Sequence, residues 1–240
     1  GILFLLSRVP AVQDALFQRL AQSLISTAPN IFPEEDSLSA LVCGSKSPLP
    51  HPTRAETCVM IKAGEETFIF DVGNKSIDNL RNWRVPLNQL NGIFISHLHS
   101  DHIAELPEIH MWNWVGTGRQ SKLKVYGPKG INQVLNGFTE AYSLDWKYRN
   151  DHHGDLFAPL KAAGFDGYEI TDFSKPVYES NGIVITAFLV DHKPIDPSLA
   201  FKIEYKGRSI VLSGDTVYSE AILNNSKNVD VLFHEAFHKG

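Results

Sequence analysis

The stretch FISHLHSDHIAEL, residues 94–106, places three histidines and an aspartate within six consecutive positions. It follows a short apolar run typical of a buried strand and leads into a segment with helical spacing. Because alternate residues of an extended segment project to the same side, His97 and His99 can share one metal ion, while Asp101 and His102 can reach a second. Imidazole and carboxylate groups suit zinc, and also iron or manganese. The pattern predicts a metal site, in preference to a polar loop of hydrogen-bonded histidines.

Three other strand ends carry metal-competent groups. His192 follows ITAFLVD, Asp215 lies in IVLSGDT, and Asp71 closes TFIFD. Each of them alone is more often structural, but loops at the ends of neighbouring strands converge on one edge of a sheet. Together they supply a third imidazole for the first ion, a carboxylate that bridges both ions, and, in Asp71, a group that aims a ligand histidine.

The composition limits the kinds of molecule that the protein is expected to bind. The 240 residues carry a formal charge of −5 and a pI near 6.1, and 43% of them are hydrophobic, which is ordinary for a globular chain with a sizeable core. No overall basic field exists to hold nucleic acid, although a local basic groove stays open. Cys43 and Cys58 lie in neighbouring predicted strands and could face each other, but we expect two buried thiols rather than a disulfide.

We divide the chain into an N-terminal amphipathic helix with a proline-containing linker, residues 1–35, and a main domain, residues 36–240. The apolar opening ends at Leu6 and is too short to span a bilayer, so we expect no transmembrane span. An upstream signal or anchor could have been removed, which leaves the compartment open between cytoplasm and periplasm.

Strand and helix patterns alternate along both halves of the main domain. Asn181-Gly182 and Lys206-Gly207 predict two hairpin turns. This alternation of strands and helices favours an α/β fold of two sheets packed face to face, with helices outside. The predicted strands include ALVCG, TCVMIKAG, TFIFDVG, GIFISH, LKVYGP and VDVLFHEAF, and the predicted helices are SIDNLRNWR, HIAELPEIHMWNW, KGINQVLNGFTEAYSL and YSEAILNN.

The motif His-x-His-x-Asp-His after a strand resembles the signature of the metallo-β-lactamase superfamily, and the chain is most similar to the branch that contains ribonuclease Z and certain arylsulfatases. The resemblance runs from Leu41 to Phe237 and implies a four-layer αββα sandwich with a dinuclear site at one edge. It also implies two divalent ions, zinc first and manganese or iron as alternatives. The segments that carry it are CGSKSPLPHPTRAETCVMIKAG, FIFDVG, SHLHSDH, YGPKG, SGDT and FHEAF. Carried over, the first-metal ligands are His97, His99 and His192, the second-metal ligands are Asp101 and His102, and the bridge is Asp215.

Two features depart from the family pattern. A further histidine beyond the HEA strand completes the second metal in the family, and His238 lies too close to that strand to be a good substitute. We therefore expect either a C-terminus that is truncated here or a weak second site. Ribonuclease Z also usually carries a flexible arm that grips tRNA, inserted between the positions of His192 and Asp215. Only 22 residues separate them in this chain, so we expect no arm there.

Three further groups have open interpretations. His234 in FHEAF matches a histidine near the scissile phosphate of the ribonuclease branch, where it would stabilise charge or protonate the leaving group; a structural bond to Glu235 or to the backbone is the equal alternative. The segment WKYRNDHHGD, with Arg149, His152 and His153, would form an anion-binding mouth or a solvated loop. Trp112 and Trp114 would wall an aryl pocket, although we favour ordinary core packing.

These observations predict a metal-dependent hydrolase with Asp101 and His234 as catalytic residues. Two divalent ions held by the ligand set would lower the pKa of a water toward neutrality and make it a nucleophile. We expect the substrate to be a small anionic ester, a phosphate, phosphodiester or sulfate of aryl type. The alternatives are tRNA 3′ processing, for which nucleic acid would be the partner, and a metal-binding module with impaired catalysis. A homodimer stays open.

Overall fold

The structure is a computed structural model that describes residues 12, 13, 16, 31–33, 36–87 and 90–236. Within the N-terminal segment, residues 12, 13 and 16 are helical, in line with the predicted amphipathic helix. The rest of that helix and most of its linker lie outside the described residues, and so does His238. None of the helices in the described part of the chain is long and apolar enough to cross a lipid bilayer.

The first sheet contains six strands in the order β1-β2-β3-β4-β5-β6. β1, β2 and β3 pair antiparallel, and β3 to β6 run parallel. Parallel neighbours need a crossover connection, and helices supply it here. The strands are β1 Leu38–Gly44, β2 Cys58–Ala63, β3 Glu66–Phe70, β4 Leu90–Phe94, β5 Leu123–Gly127 and β6 Phe165–Glu169.

The second sheet contains five strands in the order β11-β10-β9-β8-β7. Both predicted hairpin turns are confirmed: Asn181 and Gly182 have φ of 48° and 81°, and Lys206 and Gly207 have φ of 48° and 74°. Positive φ at both central residues is what a two-residue hairpin turn of the primed type requires. The strands are β7 Tyr178–Ser180, β8 Ile183–His192, β9 Ile195–Tyr205, β10 Arg208–Leu212 and β11 Val231–Phe233.

The helices lie on the outer faces of the sheets. Pro107 stands in the first turn of the third helix, so the proline starts that helix, as its fixed φ favours. The helices are α1 Ser76–Asn82, α2 Ser100–Ile103, α3 Leu106–Thr117, α4 Ile131–His153 and α5 Glu220–Asn225, with a 3-10 turn at Leu160–Ala162.

The core has two main parts because the strands of the first sheet are buried on both faces. Along β3, Phe68 and Phe70 pack against the second sheet, whereas Ile69 packs against the helical layer. Phe94 of β4 stacks on Phe70 with ring centroids 5.0 Å apart, and Phe201 of β9 meets it from the opposite sheet at 5.6 Å. Alternate side chains therefore fill two layers, and the predicted αββα sandwich is confirmed.

The structure corrects two expectations. Cys43 and Cys58 form a disulfide with a Cα–Cα distance of 5.0 Å, so the expectation of two free thiols is wrong. A bulge in β1 between Val42 and Gly44 brings Cys43 beside the first residue of β2. Residues 146–153 of the segment 146–155 are also not a loop, because α4 continues to His153.

Candidate metal centre

The predicted ligands meet at the edge where β3, β4, β8 and β10 end. The chain leaves β4 at Phe94 and bends at Ser96, His99 has an extended backbone with φ of −66° and ψ of 150°, and α2 begins at Ser100. This geometry buries His97 and His102 completely and leaves Asp101 only 5% exposed. His192 ends β8, and Asp215 follows β10 by three residues. All six side chains predicted as ligands are brought together.

One group of donors consists of three imidazoles. Donor atoms of His97, His99 and His192 lie within 4.8 Å of one another. His97 Nε2 is 3.0 Å from His99 Nδ1, and His192 Nε2 is 3.5 Å from the same atom. The contact between His99 and His192 joins residues 93 positions apart, so the fold and not the local motif creates it.

A second group combines nitrogen and oxygen donors. Donor atoms of His97, His102 and Asp215 also lie within 4.8 Å of one another. Asp101 Oδ2 is 3.7 Å from His102 Nε2, and Asp215 Oδ1 is 3.5 Å from the same nitrogen. The other oxygen of Asp215 lies 4.0 Å from His192 Nε2. Asp215 thus lies between the two groups, where a bridging carboxylate is expected.

His102 is held by a buried polar network on its far side. Asp71 Oδ2 lies 2.9 Å from His102 Nδ1, and the hydroxyl of Ser96 donates to the same carboxylate at 2.8 Å. Ser96 N–H donates to the other oxygen of Asp71, also at 2.8 Å. The opposite nitrogen, His102 Nε2, is buried without a hydrogen-bond partner among the described residues. A buried imidazole nitrogen that points at two carboxylates without bonding to them fits a bound cation.

The charges around the cluster favour a cation as well. Burial lowers the pKa of His97 to about 3, and the charge of His102 acts in the same direction, so the His97 ring is neutral. Burial also lowers the pKa of His102, but the carboxylates of Asp71 and Asp215 outweigh it and raise that pKa to about 10. Burial raises the pKa of Asp215, yet the neighbouring histidines bring it below its ordinary value. The field that holds a proton on His102 would attract a divalent ion in its place.

A cleft of about 590 Å³ opens onto the carboxylate side of the cluster. Asp71, Asp101 and Asp215 line it, and so does His234. His234 is exposed, and its Nδ1 lies 2.7 Å from the backbone carbonyl of Glu235, so Nδ1–H donates to that oxygen. The structural bond weighed for this residue is therefore present, and His234 also faces the cleft.

The two other predicted surfaces lie elsewhere. Arg149, in the helical continuation of α4, pairs with Asp145 at 2.8 Å, and neither Arg149 nor the histidines that follow it line the cleft. Trp114 is buried and donates its indole N–H to the carbonyl of Pro159 at 3.0 Å, as the preferred core interpretation predicted. Core packing is wrong for Trp112, which lies exposed at the surface with the guanidinium of Arg81 4.0 Å from its ring centroid.

Sequence reasoning missed the wall of the cleft that the 45–57 loop forms between β1 and β2. Lys46, His51 and Arg54 of this loop line the cleft. Thr53 N–H and Arg54 N–H both donate to His51 Nδ1, at 3.2 and 3.1 Å, which fixes the turn that carries the arginine. The prolines in SPLPHPTR are typical of a loop, but no pattern in the sequence indicates its position beside the cluster of predicted ligands.

Comparisons with known proteins identify the family to which the chain belongs. The family described as anti-Pycsar protein Apyc1 matches residues 42–239. The chain is 32% identical over 204 residues to ribonuclease Z of Mycobacterium bovis, which covers 84% of this chain and 71% of that protein. The chain belongs to the Apyc1 family, among the ribonuclease Z-like members of the metallo-β-lactamase superfamily.

Solved structures of this superfamily share the fold. Human tRNase Z, short form, aligns with a TM-score of 0.60 at 22% identity, over 80% of this chain and 76% of that one. The metallo-β-lactamase fold protein YhfI from Bacillus subtilis aligns with a TM-score of 0.62 at 19% identity, over 82% of this chain and 70% of that one. The family membership supports hydrolase chemistry for the chain.

Proposed function

We propose that this chain is a metal-dependent phosphodiesterase whose substrate is a small anionic ester. The observation that carries the proposal is the orphaned, buried His102 Nε2, which faces Asp101 and Asp215 beside a second set of three imidazoles. Six side chains from the ends of three strands, β4, β8 and β10, would hold two divalent ions. Bound there, the ions would supply Lewis-acid activation of a water and stabilisation of negative charge in the transition state.

The chain's own residues would carry the proton transfers. Asp101 lines the cleft, is almost buried, and would orient the attacking water and accept its proton. His234 donates through Nδ1 to the Glu235 carbonyl. This bond orients the ring, and in the imidazolium form, which carries a proton on both nitrogens, Nε2–H would deliver its proton to the leaving oxygen and leave the neutral ring.

The shape and charge of the cleft support a small anion as substrate. A volume of about 590 Å³ falls within the range of small-molecule sites, roughly 300–1,000 Å³. His51 and Arg54 present basic groups from the 45–57 loop, whereas the charge of Lys46 is paired with Glu56. Asp101 and Asp215 line the cleft as well, and metal ions bound there would offset their charge, so that the two basic groups would attract an anion in a chain of net charge −5.

The second candidate function is tRNA 3′ processing. It is favoured by the identity of 32% to a protein named ribonuclease Z. One observation argues against tRNA processing. The residues between His192 and Asp215 form β9, β10 and their tight turns, so this stretch carries no flexible arm. The cleavage of precursor tRNA at catalytic rates would reverse the order of the two candidates.

The experiment compares metal-loaded protein with protein treated with a chelator on bis(4-nitrophenyl) phosphate, 4-nitrophenyl sulfate and a precursor tRNA. We expect phosphodiester hydrolysis that chelation abolishes and that added zinc or manganese restores. His97→Ala should reduce it by more than about a hundredfold, beyond the 10–100-fold effect of losing a group that only orients a ligand. His153→Ala, at the exposed end of α4, is the matched control and should leave the rate unchanged.

Other outcomes identify the alternatives. Hydrolysis that survives both the chelator and His97→Ala overturns the proposal. Bound metal without turnover of any of the three substrates would indicate a metal-binding module with impaired catalysis. Preference for the sulfate ester would assign the arylsulfatase-type activity instead.

A further inference from the structure

A buried ion pair closes the base of the 45–57 loop. Lys46 Nζ lies 2.7 Å from Glu56 Oε1, and both side chains are only 11% exposed. Two backbone hydrogen bonds, from the N–H groups of Ser45 and Lys46 to the carbonyl of Ala55, hold the same two arms together at 2.9 Å. The disulfide between Cys43 and Cys58 closes the loop just outside this pair. Glu56 is therefore held in one place and in one orientation.

The second carboxylate oxygen of Glu56 accepts a hydrogen bond from the 71–74 turn, which consists of the four residues that follow β3. Asn74 N–H donates to Glu56 Oε2 at 2.9 Å, and Glu56 N–H donates to the carbonyl of Asn74 at 3.0 Å. Gly73 N–H donates to the carbonyl of Thr57, also at 3.0 Å. Three hydrogen bonds thus attach the turn to the end of the loop.

The other side of the 71–74 turn contacts residues 101 and 102, which carry two of the proposed ligands. Val72 N–H donates to the carbonyl of His102 at 2.8 Å, and the carboxylate of Asp71 bonds the imidazole of the same residue. Gly73 is wedged so tightly that a Cβ there would lie 2.1 Å from the carbonyl oxygen of Asp101 and 2.4 Å from Glu56 Cβ. The turn is therefore packed between Glu56 and the backbone of two ligands.

We propose that Glu56, fixed by Lys46, is a positioning residue for Asp101 and His102. Its carboxylate bonds to Lys46 and to Asn74 N–H rather than to either ligand side chain, so it acts through the 71–74 turn, which it holds by a charge-assisted hydrogen bond. Such a bond to a carboxylate is stronger than one between neutral groups. Lys46 neutralises a carboxylate that would otherwise be buried without a partner cation. The inference rests on the proposed dinuclear centre and assigns one more pair of residues to its support.

The test compares two double variants that differ only at position 56, where one keeps a hydrogen-bond acceptor and the other does not. Lys46→Met/Glu56→Gln removes both charges and keeps an amide oxygen for Asn74 N–H, whereas Lys46→Met/Glu56→Ala removes the acceptor as well. Affinity for zinc is measured by competition with an indicator dye on folded protein. We expect the Gln double variant to stay within about twofold of the wild type. We expect the Ala double variant to bind the weaker of its two ions about tenfold less tightly, at the low end of effects transmitted by groups behind the ligands.

Hydrogen exchange of the metal-free protein gives a readout that does not depend on any bound ion. Exchange should be faster at Val72 and Asn74 in Lys46→Met/Glu56→Ala than in Lys46→Met/Glu56→Gln. Lys147→Met/Asp151→Ala removes an exposed ion pair from α4 and serves as the matched control, with unchanged affinity and exchange at both positions.

Equal zinc affinity and equal exchange in the two double variants would overturn the inference, as would the loss of affinity in both. The comparison needs only the double variants, so it stands even if Glu56→Ala alone fails to fold. Its outcome is separate from that of the proposed hydrolysis, because no substrate is present. Wild-type hydrolysis that requires His97, together with two double variants of equal affinity, would reject the positioning role alone.

Discussion

Asp71 Oδ2 and His102 Nδ1 lie 2.9 Å apart, in a pair that is almost wholly shielded from water. The carboxylate fixes the ring so that Nε2 faces Asp101 and Asp215. A carboxylate behind a ligand histidine sets its tautomer and raises its basicity. The orientation of the His102 ring therefore depends on a residue that directly follows a different strand, β3.

Asp71→Asn should weaken the binding of zinc by about 10–100-fold, the usual effect of removing a group behind a ligand histidine. The amide keeps the size of the side chain but lacks the charge that stabilises a bound cation. Titration against a chelating dye measures the change, and Asp78→Asn, in an exposed position on α1, is the control. Affinities that match in the wild type and Asp71→Asn would show that Asp71 has no part in holding the ion.

Residues 97–102 of the candidate site could be predicted because their metal-competent side chains are close together in the sequence. Four metal-competent residues between positions 97 and 102 at the end of an apolar run leave few other interpretations. His192 and Asp215 lie in ordinary surroundings, and only their placement at strand ends and the family resemblance indicated them. The Lys46–Glu56 pair could not be predicted, because it joins two arms of a loop that has no periodicity.

The errors have physical causes that are visible in the structure. The segment 146–153 is polar enough for a loop, but Asp145–Arg149 and Lys147–Asp151 form ion pairs at helical i,i+4 spacing. Counting such pairs would have extended the helix. Strand β6, FDGYE, was missed because its glycine and charged residues give no alternation, and its parallel pairing with β5 decides its structure.

Arg54→Met should raise the KM for bis(4-nitrophenyl) phosphate by about tenfold, or about 1.4 kcal/mol, with kcat nearly unchanged. The reason is that Arg54 lines the cleft and would attract the anionic ester equally in the ground and transition states. Steady-state kinetics at low salt measure the effect, since salt screens it. Arg208→Met, which loses an exposed pair with Asp230, is the control. A fall in kcat with an unchanged KM would contradict the binding role.

Two glycine substitutions should have opposite effects on stability. Gly73→Ala places a Cβ 2.1 Å from the carbonyl of Asp101 and should lower the free energy of unfolding by about 1–3 kcal/mol, the usual cost of overpacking. Gly137→Ala, in α4, meets no atom within 4 Å and should raise it by about 0.5–1 kcal/mol, because alanine is the better helix former. Urea unfolding at pH 7 measures both. A Gly73→Ala variant as stable as the wild type would show that the contact between the turn and Asp101 is looser than described.

His110 is a buried imidazole away from the metal centre. Its Nε2 accepts a hydrogen bond from Gly164 N–H at 2.8 Å, and the rings of Trp114 and Trp146 lie 5.6 and 4.7 Å away. Burial lowers its pKa from 6.5 to about 4. The folded protein therefore holds this ring neutral at a pH where the unfolded chain binds a proton.

This difference should make the fold sensitive to acid between pH 6.5 and 4. In that window the unfolded chain binds the proton that the folded state excludes, so stability falls as the pH falls, and the loss ends below the folded pKa. The shift corresponds to about 3 kcal/mol. His110→Gln keeps an acceptor for Gly164 N–H without titrating, and should lose about 3 kcal/mol less than the wild type between pH 7 and pH 4. Urea unfolding at both pH values measures the difference, and His110→Phe should show the same reduced loss. An equal loss in wild type and both variants would mean that the ring is already charged, or freely reached by water, in the folded protein.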